Sequence, residues 1–346
     1  MKTTPFKIAP ILILSTGRCG STMVSEILSL HPGILSVSEF FMVLGPQAFA
    51  WRNPSGERMW RLYSRQSAAL HSMLKDGEVV DENLYPLGQP GSRYEAGNLP
   101  PILSVTLPHL SPTPDALFDE LAPVIRSRPR APLAEQYRFL FEYLGNKFGR
   151  KVWVERSGGS LMHAAKLLAQ FPDARVVHVY RDGRDTAMSM SNHHHFRVLI
   201  AAMRQGKVDR RKLFLETRKS PWKCWVHEMI FRLLDVRRMT DRARLGLADF
   251  GKLWSDMVVI GDEVLSKLPS DRLLNLKFED LQSSPREKLR ELIRFVDPSL
   301  DDEGWLDAAS AIPKPVRSKF STLPEEDRAA LTRACEPGLK LLGYPL

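Results

Sequence analysis

The chain is poor in cysteine, in long apolar runs and in metal-ligand spacings. Its three cysteines among 346 residues, Cys19, Cys224 and Cys335, are odd in number and far apart. That argues against a disulfide framework and makes a reducing, cytoplasmic compartment the expectation. No stretch approaches the roughly 18–20 consecutive apolar residues that cross a bilayer, so no transmembrane segment is expected. The apolar run near the N-terminus lacks a small-residue cleavage site and reads as a core strand, not a signal peptide. There is no zinc-finger spacing and no recurring interleaving of aromatic and basic residues. The net charge of +9 therefore points to no specific nucleic acid. Its dispersed basic residues fit a solvated surface as well as an anionic ligand. What is present, 43% hydrophobic residues over this length, suffices for one large α/β domain or two smaller ones.

The most informative stretch, Ile8 to Phe41, reads IAPILILSTGRCGSTMVSEILSLHPGILSVSEFF. Ile8 to Leu14 is the short apolar run of a strand buried on both faces. A turn from Ser15 to Thr22 follows, and Met23, Ile27, Leu28 and Leu30 then recur at helical spacing until Pro32 and Gly33. Ile34 to Val37 is a second short run that delivers Glu39. Strand, glycine-containing loop and helix together cradle a phosphate. The glycines admit the anion, and the first amides of the helix have no partners of their own. A nucleotide triphosphatase would carry G-x-x-x-x-G-K-[ST]. Here Arg18 lies inside the loop, and Ser21 and Thr22 follow Gly20 with no lysine between. A different anionic cofactor, held without a metal, is expected; the alternative is a buried strand followed by an ordinary polar turn. An anion loop would favour the Cys19 thiolate, yet a small loop residue is the preferred reading over a nucleophile.

Farther along, Glu57 to Lys75 carries Trp60, Leu62, Tyr63, Leu70, Met73 and Leu74 at roughly helical spacing. Ten prolines between Pro86 and Pro132 predict an irregular excursion without long helices. Its apolar residues, Leu99, Ile102, Leu103 and Leu107 among them, argue against disorder. A lid or acceptor-binding insertion at about 42–132 competes with a passive surface loop. Leu133 to Phe148 then reads as a helix and Lys151 to Glu155 as a strand. A helix from Leu161 to Phe171, a strand from Arg175 to Tyr180 and a helix from near Asp185 follow. This alternation predicts an α/β fold in three layers, a parallel sheet flanked by helices.

Ligands of such sheets bind beyond the carboxyl ends of the strands, so the loops after Leu14, Glu155 and Tyr180 are expected to converge. Each carries an arginine: Arg18, Arg156 and Arg181. Three guanidinium groups in one crevice suit a multiply anionic ligand, because each pairs with phosphate or sulfate through two parallel hydrogen bonds. Ser189, eight residues beyond Arg181, falls about two turns into the following helix, where its hydroxyl could face the same anion.

These residues resemble the sulfotransferases that use 3′-phosphoadenosine 5′-phosphosulfate (PAPS). STGRCGST is similar to their 5′-phosphosulfate loop. VVHVYRDGRDTAMSMS is similar to their 3′-phosphate element, with Arg and Ser eight positions apart. Within the family the closest similarity is to the branch of tyrosylprotein sulfotransferases and many bacterial enzymes. That branch has an Arg in the loop and a Glu 21 residues later, the spacing of Arg18 and Glu39. Phe278-Glu279-Asp280-Leu281 with Ser284-Pro285, and the terminal Leu342-Gly343-Tyr344, also resemble family segments; 42–132 does not. The resemblance implies a P-loop-containing sulfotransferase-like fold in a single domain spanning 1–346, and sulfuryl transfer from PAPS to a hydroxyl acceptor by in-line displacement. Glu39 would be the general base, with Arg18 and Arg156 catalytic. Thr16, Gly17, Arg18, Cys19, Gly20, Ser21 and Thr22 would bind the 5′ side, and Arg181 and Ser189 the 3′-phosphate. Where family members often have Lys, this chain has Arg156 in ERSGGS. The basic loop that closes on the cofactor in cytosolic members has no clear counterpart; Arg317 and Lys319 in KPVRSKF are the candidates.

The remaining features have plainer readings. His193-His194-His195 are consecutive, point in different directions on a helix and do not suit a metal; a polar helix end near the pocket is expected. His178 is read as a core residue, Glu279 and Asp280 as structural, and the basic Arg197–Arg244 segment as amphipathic helix packed on the core. Rival functions are a P-loop kinase or NTPase and a non-catalytic nucleotide-binding module of the same fold. The acceptor, a small molecule, a carbohydrate or a lipid hydroxyl, is left open.

Overall fold

The apolar runs of the sequence assemble into one sheet of five parallel strands. These are β1 (Ile11–Ser15), β2 (Ile34–Ser38), β3 (Val152–Arg156), β4 (Arg175–Tyr180) and β5 (Leu273–Lys277), in the order β2-β3-β1-β4-β5. The computed structural model describes residues 4–66, 83–206, 208–216, 220–224, 226, 229 and 243–346. Successive residues of a strand face opposite sides of a sheet. Leu12 and Leu14 of β1, Leu35 and Val37 of β2 and Trp153 of β3 accordingly enter one core. Ile11, Ile13, Val152, Val154, Val177 and Val179 enter the other. With helices covering both faces, every position of β1, β2 and β3 is buried, which is why these strands read as largely apolar runs.

Because all strands run the same way, their carboxyl ends share one rim. In register, Ile13 lies beside Arg156, Ser38 beside Arg156, Ser15 beside Val179 and Tyr180 beside Lys277. β1 has β3 on one side and β4 on the other, so the loops leaving it and its neighbours diverge at β1. That divergence opens a crevice at the rim. Helix α1 (Ser21–Ser29) connects β1 to β2, α2 (Phe40–Leu44) follows β2, and α3 (Gly183–Ser191) follows β4. Ala187 and Met190 of α3 are buried with Trp254, Met257, Cys335 and Leu339, which seat α3 against the helices 247–265 and 325–341.

The proline-rich segment differs from its expectation. It contains helices Pro101–Ser104, Thr106–Leu110 and Pro114–Arg126, the last of 13 residues. Pro101 and Pro114 occupy helix starts, where the missing N–H has no partner to lose. Leu99, Ile102, Leu103 and Leu107 are fully buried in the same core as Leu12 and Leu14, so the segment is not a passive surface loop. The helix expected from Glu57 is formed over Gly56–Ser64; residues 67–75 of that expectation lie outside the described residues. So do Trp225, Ile230, Phe231, Leu233 and Leu234 of the expected Arg197–Arg244 helices. Strand β5 was not legible: its five residues LLNLK are mostly half-exposed at the sheet edge and carry no distinctive pattern.

Candidate active site

Between β1 and α1 the backbone is left-handed at Gly17 (φ 76°), Arg18 (φ 58°) and Gly20 (φ 88°). At Gly20 a β-carbon would also collide with the Phe278 ring, and at Gly17 one would crowd the Gly159 amide nitrogen at 3.1 Å. Gly20 caps α1 and no side chain bonds its first turn, the condition under which an anion can take that place. The loop is braced from beneath. Ser15 Oγ accepts from the Gly17 amide at 3.3 Å and donates to Ser21 Oγ at 3.2 Å. The Ser15 amide donates to Ser160 Oγ at 3.2 Å, and Thr16 Oγ1 donates to the Gly17 carbonyl at 3.2 Å. Thr22 is exposed.

The expectation for the Cys19 thiolate is corrected. The side chain is fully buried and donates to the Val179 carbonyl at 3.3 Å, and burial pushes its pKa up. The thiol faces the core, so only the backbone of Cys19 can serve an anion.

The loop meets the third arginine element. Arg18 Nε donates to Ser189 Oγ of α3 at 3.1 Å, joining the two segments singled out as anion-binding. Arg181 lies 5.0 Å from the centre of the Phe278 ring and 3.9 Å from Asp185, so Phe278 stands between Gly20 and Arg181. Asp185 also accepts from the Lys319 and Phe320 amides at 2.8 and 3.1 Å. This ties the KPVRSKF segment to α3, with Arg317 exposed.

A second cluster forms at the ends of β2 and β3. Glu39 is 2% and Arg156 3% exposed, and Arg156 Nη1 donates to Glu39 Oε1 in a buried ion pair. The Gly158 amide lies 3.1 Å from Oε1 and 3.0 Å from Oε2 of the same carboxylate. Arg156 Nη2 donates to Ser38 Oγ at 2.9 Å. Glu39 itself has φ 56°. Among the described residues only Arg18, Glu39 and Arg244 hold a left-handed backbone without being glycine. Such conformations cost of order 1–3 kcal/mol and persist where the surroundings over-determine them. Gly17 packing on Gly159 brings this cluster against the anion loop.

Sequence reading missed the neighbours of the pair. Glu155 is 0% exposed. Its Oε1 accepts from Ser157 Oγ at 2.6 Å and from the Phe41 amide at 3.5 Å. Burial, with the Glu39 charge adding to it, pushes its pKa up to about 8. A carboxylate closing an apolar strand is the one signal that could have flagged it. From the proline-rich segment, Thr106 Oγ1 donates to the Ser38 carbonyl at 2.9 Å. His109 has its pKa lowered to about 4 by burial and by the charge of Arg156.

His193 sits at the start of the helix His194–Arg204, and Phe196 beside it packs toward Gly17, as a polar helix end near the pocket should. His178 is buried, 3.1 Å from Asn275 Oδ1. Tyr344 donates to Glu279 at 2.8 Å, and Glu279 accepts from the Asp182 amide at 3.0 Å, a structural role. Among the described residues no group of three or more His, Cys, Asp or Glu could hold a metal ion, and no helix is long and apolar enough to cross a membrane.

A family model described as "Sulfotransferase family" matches residues 126–302, just over half of the chain. The chain belongs to the sulfotransferase family. The matched part of this sulfotransferase contains Arg156, Arg181, Ser189 and Phe278; the loop Gly17–Thr22, Glu39 and Arg317 lie outside it. It is an enzyme of the PAPS-dependent class, on an α/β fold with a central parallel sheet flanked by helices. Solved structures similar to it include a sulfotransferase domain from the curacin biosynthetic pathway, 13% identical over 100% of both chains with a TM-score of 0.49. The sulfotransferase domain of the Synechococcus PCC 7002 olefin synthase is 15% identical over 100% of both chains, at 0.47. A sulfotransferase from Alicyclobacillus acidocaldarius is 16% identical over 98% of this chain and 97% of its own, at 0.40. No curated protein matches.

Proposed function

We propose that this sulfotransferase moves the sulfuryl group of PAPS in line onto a hydroxyl acceptor, with Glu39 as general base and Arg18 and Arg156 as the catalytic cations. The observation that carries the reading is the buried Glu39–Arg156 pair set beside an uncapped helix start whose loop arginine reaches Ser189. The donor set suits a compound with anionic groups at both ends. Buried Arg156 Nε has no hydrogen-bond partner, and a guanidinium N–H in that state is matched by an anionic oxygen. The amides of Gly17 to Thr22 would hold the 5′ side, and Arg181 and Ser189 the 3′-phosphate. Arg317 lies on a segment tethered to the same helix and is proposed to close over it.

Bound there, PAPS would supply an electrophilic sulfur and a bisphosphate leaving group, and the acceptor oxygen would gain its bond to sulfur as the bridging O–S bond breaks. The protein's share is electrostatic. Arg18 and Arg156 stand where negative charge develops, and fixed cations and amides in a water-poor site stabilise such charge without reorganising. Glu39 takes the hydroxyl proton. Its carboxylate is oriented by Arg156 and the Gly158 amide, and a carboxylate offers about four lone-pair sites. The 21-residue spacing of Arg18 and Glu39 supports a likeness to the tyrosylprotein and bacterial branch in this reading. Three buried cysteines, none of them in a disulfide, fit a reducing, cytoplasmic compartment. Thr106 and His109 of helix Thr106–Leu110 bring the segment 42–132 to Ser38 and Arg156, which supports acceptor binding as the role of that segment in this reading.

Glu39→Gln is expected to reduce transfer by about 10²–10⁴-fold while adenosine 3′,5′-bisphosphate still binds as in the wild type. Hydroxyl compounds screened with labelled PAPS and read by mass spectrometry supply the acceptor for this assay. Wild-type turnover in Glu39→Gln would remove the base assignment, and a requirement for magnesium would favour the kinase class.

A further inference from the structure

Two carboxyl groups flank Arg156, and only Glu39 is paired with it. Glu155 points to the opposite side of β3, into the space beneath the first turn of α2. There its Oε1 accepts from the Phe41 amide, and Ser157, which donates to that same oxygen, accepts from the Met42 amide at 3.2 Å. The first amides of a helix have no partners within it, and α2 has no side-chain cap of its own from Glu39. Glu155 and Ser157 therefore take over that task from the neighbouring strand. The residue that opens this turn is Glu39, in its left-handed conformation, with its amide donating to the Arg156 carbonyl at 2.7 Å.

We propose that Glu155 is a positioning residue for Glu39: a neutral carboxylic acid that pins the first turn of α2 and so holds the left-handed Glu39 against Arg156. The inference rests on the reading of Glu39 as the working carboxylate. Neutrality matters because an ionised Glu155 would set a second anion beside Glu39 and divide the field of Arg156 between the two. Its other oxygen, Oε2, is buried with no hydrogen-bond partner, a site that tolerates a neutral acid far better than a carboxylate. The raised pKa agrees with this.

The test uses the full-length chain and three variants, and reads structure and spectrum as well as binding. In Glu155→Ala, the crystal structure is expected to show Glu39 released from its positive φ and its carboxylate displaced from Arg156. Glu155→Gln keeps an accepting oxygen and a donor in place of the acid and is expected to preserve both. Infrared difference spectra at pH 7 are expected to show a carboxylic-acid carbonyl band in the wild type that is lost in Glu155→Gln. Calorimetry with adenosine 3′,5′-bisphosphate is expected to give wild-type affinity in both variants. A Glu39–Arg156 pair unchanged in Glu155→Ala, or no acid band in the wild type, overturns the proposal. Should Glu155→Ala not fold, Glu155→Leu keeps most of the volume and removes the oxygen that accepts from the Phe41 amide, and an unmoved Glu39 there is equally decisive against it. Displacement of Glu39 in these variants together with full turnover in Glu39→Gln would leave the positioning intact and defeat the base reading instead.

Discussion

Replacing Glu155 with glutamine changes how stability depends on pH, and the magnitude follows from its burial. Its pKa is pushed from the ordinary 4.5 to about 8. Between those values the unfolded chain has released the proton and the folded chain retains it, so wild-type stability falls as pH rises, by ~1.4 kcal/mol per pH unit. Below that window both states are protonated, and above it both are ionised, so the slope vanishes at either end. Glutamine removes the term. The variant therefore gains on the wild type by about 5 kcal/mol in total across the window. Three buried or half-buried histidines act with the opposite sign. His109 and His178 have pKa values lowered from 6.5 to about 4, chiefly by burial, and that of His31 is lowered for the same first reason. The unfolded chain takes up those protons before the folded chain does, so stability is lost as pH drops below the ordinary histidine value. In the wild type alone the two slopes overlap, but in the difference between wild type and Glu155→Gln the histidines cancel. Urea melts of both proteins at intervals between about pH 4 and about pH 9 measure that difference. Parallel curves would show that Glu155 is ionised in the folded protein and would refute the reasoning.

Arg156→Met leaves the Glu39 carboxylate buried without its cation and is expected to lower stability by about 3–5 kcal/mol; adding Glu39→Gln should recover part of it. Urea melts giving a loss under about 1 kcal/mol would mean that the pair is solvated. Gly20→Ala meets both a positive φ and the Phe278 ring, so a loss of about 1–3 kcal/mol is expected. An unchanged melting temperature would contradict the loop geometry. Arg181→Ala is expected to weaken binding of adenosine 3′,5′-bisphosphate by about 10–100-fold, the equivalent of one charge-assisted hydrogen bond. Unchanged affinity by calorimetry would detach Arg181 from the 3′-phosphate.

Much of this protein could be read from its residues because the information was local. The strands β1, β3 and β4 announce themselves as apolar runs closed by polar turns, and a glycine loop with an internal arginine points to an anion wherever it occurs. The proline-rich segment misled for an equally local reason. Proline costs a helix interior one hydrogen bond but favours a helix start; Pro101 and Pro114 take starts, Pro123 is carried inside the longest of these helices, and counting prolines does not say which position each one takes. Cys19 misled because a loop position does not reveal which way a side chain turns.

By itself, the sequence determined the three layers, the parallel sheet and the three arginines at strand ends, since each depends on neighbours within a few residues along the chain. Only the tertiary structure decided which of those groups meet. Arg156 serves Glu39, 117 residues away, and Arg18 reaches Ser189, 171 residues away. Glu155 and Arg156, adjacent in the chain, face opposite sides of one strand and take opposite roles. Pairings of that kind are set by strand order and register, which arise from burying two apolar faces at once.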